Sequence, residues 1–284
     1  MPAHLEASSA GRLAYRMLGS VADAEDVLQE ARLALLRQER APDNEEAFLF
    51  RVVSNLAVDR LRQQQRQRRA YPGPWLPEPL PTESVSAEDL AELADELSLG
   101  FVLMLERLSP AERVVFLLRE GFDYAFEEIG ELIGVSAAAC RQRYRRARAN
   151  LREEKRFATP PGEQRELLDR LLVAIAEEDL GGLVQMFSED SVVFADGGGV
   201  VSAAIRPVTG AERIAQVILH LTRKADAEGD ISHEFLELNG GVGLVVRQDG
   251  ELHSCIQLDG AEGKVKRLYV SRNPEKLAHL LGSG

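Results

Sequence analysis

The chain has 284 residues, with 34 Lys and Arg against 46 Asp and Glu, a net charge of −12 and 45% hydrophobic residues. That balance excludes a chain disordered throughout, and the length allows two or three compact domains. Two cysteines, Cys140 and Cys255, exclude a disulfide scaffold, and no run reaches the roughly 18 apolar residues of a membrane span. The beginning of the chain carries no basic stretch followed by an apolar core, so the expected location is cytoplasmic, away from membranes. The five histidines form no metal-ligand spacing with the cysteines, and nothing in the pattern calls for a metal or a cofactor.

Gly11 to about Arg37 reads as two helices. Leu13, Met17 and Leu18 form the first apolar stripe, which Gly19 ends. Ser20 or Asp23 caps the second, whose inward face is Val27, Leu28, Ala31 and Leu35. A third helix runs from about Glu45 to Arg69, with Phe48, Val52, Leu56 and Leu61 inward. Its basic far end, Arg62 to Arg69, is expected to project from the core. Five prolines then fall between Pro72 and Pro81. They favour an extended, semi-rigid spacer, with Trp75 and Leu76 either docked on a domain or left in solvent.

From about Ser86 to Leu108 the helical period returns. Ser109-Pro110-Ala111-Glu112 is a capping box with Pro at the first helical position, and that helix closes at Gly121. A short helix over Glu127–Ile133, a turn at Gly134 and a helix capped by Ser136 form a helix-turn-helix pattern. Its second helix carries Arg141, Gln142, Arg145, Arg146 and Arg148. Arg and Gln are the side chains that read base edges or clamp phosphates.

Past Pro160 the pattern changes. Helices over Gln164–Glu177 and Leu180–Phe187 precede predicted strands at Ser191–Ala195, Val200–Arg206, Ile231–Leu238, Val242–Gln248, Leu252–Leu258 and Val265–Val270, with a helix at Ala211–Leu221 between them. Helices followed by sequential strands predict an α+β domain with a curved antiparallel sheet.

Charge is unevenly distributed. Residues 51–70 hold six Arg against one Asp, and residues 141–156 hold seven Arg and one Lys against two Glu. Residues 82–96 hold six acidic residues and no base. Two cationic helical segments in an acidic body point to a polyanionic partner, because local rather than net charge governs attraction to phosphate.

The run Ala14–Ala31 and the run Val52–Arg62 resemble the second domain of extracytoplasmic-function (ECF) sigma factors. Leu108–Arg113 and Phe126–Arg148 resemble the fourth sigma domain. Trp75-Leu76-Pro77-Glu78-Pro79-Leu80 and Asn273-Pro274-Glu275-Lys276-Leu277 resemble a subgroup with a fused SnoaL-like (NTF2-like) domain. The resemblance implies two all-α sigma domains followed by an α+β domain. Its divisions are domain two at 1–71, a linker at 72–97, domain four at 98–157 and the SnoaL-like domain at 160–284. It implies a promoter-specificity subunit that binds core RNA polymerase and promoter DNA. Asp26, Gln29 and Glu30 match the face that docks on the polymerase clamp. Asn55, Asp59, Arg60 and Arg62 match the −10 region, and Arg141, Gln142, Arg145 and Arg146 match the −35 recognition helix.

The C-terminal domain leaves two readings open. Trp75, Leu76, Asp196, Gly197, Asn273 and Pro274 would serve a regulatory contact between that domain and the linker or the sigma domains. The alternative is a cyclase or hydrolase enzyme, with Asp196, Arg206 and His220 meeting in a pocket that takes a small ligand. Val200 stands where the resembled family carries Lys after the glycines. A stand-alone helix-turn-helix regulator is a third option.

Overall fold

The structure, a computed structural model, describes residues 5, 8–68, 70–82, 96–151 and 159–282. The chain divides into two compact units, residues 1–70 with 101–155 and residues 71–100 with 156–284.

The first unit is helical. α1 (Ser9–Leu18), α2 (Val21–Leu36) and α3 (Glu45–Arg68) pack on one another. Ser8 and Ser20 cap α1 and α2 with side-chain oxygens, and Gly19 takes the left-handed turn between them at φ +64°. Leu13, Met17, Leu28, Phe50, Val53 and Leu61 are fully or nearly fully buried. α4 (Leu99–Leu105), α5 (Pro110–Glu120), α6 (Phe126–Ile133) and α7 (Ala137–Leu151) follow. The predicted capping box is present, with Ser109 Oγ accepting from Glu112 N and Glu112 Oε2 accepting from Ser109 N. Such a cap stabilises a helix by about 1 kcal/mol. The predicted helix over Ser86–Leu108 is seen only from its last part, because residues 83–95 lie outside the described residues.

The two helical groups of this unit are packed together by charge. Arg113 is fully buried and donates from Nε to Arg16 O at 2.9 Å and from Nη1 to Glu106 at 2.5 Å. Arg68, at the far end of α3, pairs with the same carboxylate and donates to Leu18 O at 2.8 Å. The expectation that this end projects from the core is therefore corrected. Arg62 and Arg66 are exposed, but Gln64 is buried and the Arg68 side chain is only 14% exposed. Burial pushes the Glu106 carboxyl up, yet Arg113 and Arg68 outweigh it and hold it below the usual carboxylate range. Phe50 adds an edge-on contact to Phe122 at 4.9 Å between ring centres.

The second unit is α+β. α8 (Pro161–Ala176), α9 (Leu180–Met186) and α10 (Ala211–Glu228) accompany β1 (Phe187–Asp196), β2 (Val208–Thr209), β3 (Ile231–Leu238), β4 (Gly241–Gln248), β5 (Glu251–Ala261) and β6 (Lys264–Ser271). The sheet order is β2-β1-β6-β5-β4-β3, antiparallel throughout except for β1 beside β6. Bulges between Val246 and Arg247 and between Asp259 and Gly260 bend the strands. Residues 200–206 form turns rather than the predicted strand, and the short β2 follows them.

Alternation along the strands gives the sheet two different faces. Leu244, Leu258 and Leu268 face Leu167, Leu171, Leu183 and Ile214 in one apolar core. Leu238, Val245 and Cys255 point the other way, toward Leu277 and Leu280. The proline-rich segment pairs with the free edge of β3. Thr82 N donates to Glu237 O at 3.0 Å and Asn239 N to Leu80 O at 2.7 Å, which adds a short antiparallel bridge beyond β3.

Candidate nucleic-acid interface

The helix-turn-helix is built by short-range chemistry. Glu128 accepts from Ala125 N to start α6, Gly134 makes the left-handed turn at φ +69°, and Ser136 Oγ accepts from Ala139 N to start α7. Cys140, Ala147 and Leu151 turn α7 inward. Arg141, Gln142, Arg145, Arg146 and Arg148 are all exposed. Arg141 is held by Glu127 Oε1 at 2.9 Å, and this bond lowers the Glu127 carboxyl from its ordinary value. Arg148 lies over the Tyr144 ring at 5.9 Å, and Tyr144 donates to Glu120.

On α3, Asn55 and Asp59 are exposed. Asn55 Nδ2 bonds Arg51 O at 3.0 Å, and Arg62 pairs with Asp59 at 2.7 Å. Arg60 does not stand free beside them. It reaches across to α2, 3.0 Å from both Asp23 and Asp26. The structure thus joins two residue sets that the sequence separates, since Asp26 belongs to the expected docking face. Gln29 and Glu30 lie exposed along the same helix.

In the second unit, the residues expected to regulate do meet. Asp196 is 1% exposed and its carboxylate is fully occupied. It accepts from Tyr71 OH at 2.6 Å, Leu76 N at 2.8 Å, Gly198 N at 3.0 Å and Lys276 Nζ at 2.7 Å. Gly198 sits at φ +64°, where a Cβ would also strike the Asn273 amide. Gly197 is buried in the same turn. Asn273 caps the one-turn helix α11 (Pro274–Leu277), with Pro274 exposed at its first position, and so aims Lys276 at Asp196. Lys276 also donates to Leu76 O at 2.5 Å and lies 4.1 Å from the centre of the Trp75 ring. Trp75 and Leu76 are therefore docked, with Leu76 fully buried, and the spacer is not free. Burial, followed by the bond to Asp196, pushes the Tyr71 phenol well above its ordinary value.

The pocket of Asp196, Arg206 and His220 that the enzyme alternative calls for does not form. Asp196 spends its hydrogen bonds on the linker, while Arg206 and His220 are exposed. The residues missed from the sequence are Tyr71, Lys276, Glu106 and Arg113. Lys276 and Arg113 lay inside the Asn273–Leu277 and Leu108–Arg113 motifs without a role assigned to them; Tyr71 and Glu106 had no signal.

A model of Sigma-70 region 2 matches residues 9–67, and a model of Sigma-70 region 4 matches residues 99–151. The ECF RNA polymerase sigma factor SigJ of Mycobacterium tuberculosis is 32% identical over 275 residues, covering 93% of this chain and 88% of that protein. The chain belongs to the ECF RNA polymerase sigma factor family. A probable ECF sigma factor of the same species, SigI, is 35% identical over 73% of this chain and 71% of its own length. The crystal structure of Mycobacterium tuberculosis SigJ superposes with a TM-score of 0.74 at 30% identity, covering 94% of each chain. ECF membership therefore spans both units, including the α+β one.

Proposed function

We propose that the protein docks on core RNA polymerase in the cytoplasm, reads the −10 and −35 promoter elements, and has no chemistry of its own. Asp26, Gln29 and Glu30 serve the polymerase clamp. Asn55, Asp59, Arg60 and Arg62 serve the −10 element, and Arg141, Gln142, Arg145 and Arg146 the −35 element. Domain two ends near residue 71 and domain four spans about 98–157. The observation that carries the reading is the exposed Arg and Gln row on α7, set on the second helix of a helix-turn-helix. No helix among the described residues is long and apolar enough to cross a membrane.

The α+β domain acts as the regulator, through its hold on Trp75 and Leu76. The saturated Asp196 carboxylate supports this over the enzyme reading, because a general acid or base needs a site left for substrate.

The test is reconstitution with core polymerase on a promoter template. The paired change R60A and R145A should cut promoter-directed transcript at least about tenfold, the scale of one or two lost charge-assisted contacts. Core binding should persist in R145A alone, since Arg145 lies on α7, away from Asp26, Gln29 and Glu30 on α2. Unchanged transcript yield overturns the assignment. Affinity for duplex DNA should fall with log salt at a slope near −0.9 per phosphate contact, and a flat response overturns phosphate clamping.

A further inference from the structure

The outer face of the sheet holds a second, unassigned feature. A polar cavity of about 20 Å3 lies at the Asp259–Gly260 bulge, lined by Gln257, Asp259, Tyr269, Gln164 and Thr159 and closed by Ser98 and Leu99. Among the described residues, the polar side chains of this wall are bonded with one exception. Tyr269 OH donates to Asp259 at 2.6 Å, and Thr159 Oγ1 exchanges bonds with Gly260. Gln164 takes Val242 N on Oε1 and reaches Leu258 O with Nε2. Gln257 Nε2 donates to Leu238 O at 3.2 Å, which fixes the orientation of its amide. Gln257 Oε1 then has no partner among the described residues, although the residue is only 7% exposed. A buried acceptor left without a donor keeps its desolvation penalty, so such an acceptor on a cavity wall marks a place for a donor.

The cover is the chain segment Leu97–Gly100. Asn239 Nδ2 holds Leu97 O at 3.0 Å, and a Cβ at residue 100 would collide with the Asp259 carboxylate. As folded, the cavity has room for about one water molecule. With the segment lifted, the same wall would admit more. The charge on the lining side chains comes from Asp259 alone, with no Lys or Arg, which disfavours anions.

We propose that this cavity is a binding site for a small neutral molecule carrying an N–H or O–H donor, which bonds Gln257 Oε1 and displaces Leu97–Gly100. That segment includes Leu99 and Gly100, the first two residues of α4, so occupancy would unwind the start of that helix.

Binding is read on the full chain without transcription, so its failure is distinct from failure of the promoter assignment. Acetamide is the probe and acetate, its anionic near-isostere, the control, both followed by saturation-transfer NMR. Acetamide should give a saturable signal in the millimolar range, acetate none, and Q257L should abolish the acetamide signal. L97A, which removes the buried anchor of the cover, should tighten acetamide binding several-fold. If Q257L does not fold, hydrogen exchange of the Leu97–Gly100 amides in the unaltered protein decides. Faster exchange with acetamide supports the site. No acetamide signal, equal signals from acetate, a folded Q257L that still binds, or unchanged exchange overturns it.

Discussion

Each unit has a buried ion cluster centred on one carboxylate, and the two are built differently. In the helical unit, Glu106 lies between Arg68 and Arg113, so one carboxylate answers two guanidinium groups. The remaining guanidinium donors go to main-chain carbonyls of Arg16, Leu18 and Val102 and to Gln64 Oε1. In the α+β unit, Asp196 meets one ammonium, and a phenol and two amides complete its bonding. The first cluster depends on a single group; the second spreads its hold over four donors. Breaking a buried pair costs more than forming it gains, because the stranded charge keeps its desolvation penalty. The two clusters should therefore fail by different amounts and in different conditions.

The largest effect is expected from E106A, which strands the fully buried Arg113. A loss of about 3–5 kcal/mol is expected in the unfolding of the helical unit, measured by denaturant titration, and E106Q should lose less. K276A should cost less, about 2–3 kcal/mol, since Asp196 keeps three donors. Its signature is faster hydrogen exchange at Leu76 with the sheet intact. If K276A proves as damaging as E106A, the contrast between one group and four is wrong.

Acid and base sharpen the same contrast. Glu106 is held below its ordinary value of 4.5, so its contribution is present above that value and is lost as pH falls through the depressed one. Tyr71 is raised above its ordinary value of 10.0, so the bond it donates to Asp196 persists through neutral pH and weakens only on the strongly alkaline side. Acid titration should loosen α3 from the Glu106 region as pH falls through the depressed value, as read by hydrogen exchange in α3. The smallest effect belongs to N273A, which removes a helix cap worth about 1 kcal/mol and should modestly raise exchange near Lys276.

Much of the molecule was legible locally. Ser109 with Glu112 and Gly134 with Ser136 each specify a helix start or turn within a few residues, and each forms as read. The exposed row on α7 follows from the 3.6-residue period once Cys140 and Ala147 turn inward. The strand predicted at 200–206 failed because β-branched residues there follow Gly198 and Gly199, both at positive φ, in a turn that serves Asp196. The far end of α3 was misread because an Arg-rich helix end looks the same whether it meets water or a distant carboxylate.

The sequence alone determined most of the helices and strands, the basic face of α7 and the ECF family pattern, since periodicity, caps and motif spacing act over a few residues. Tertiary structure decided that Trp75 and Leu76 dock, that Lys276 meets Asp196 across 80 residues of chain, and that Arg68 and Arg113 share Glu106. It also decided that Gln257 keeps an unanswered acceptor. Such choices depend on desolvation, which a charged or polar residue undergoes only where the folded chain closes over it.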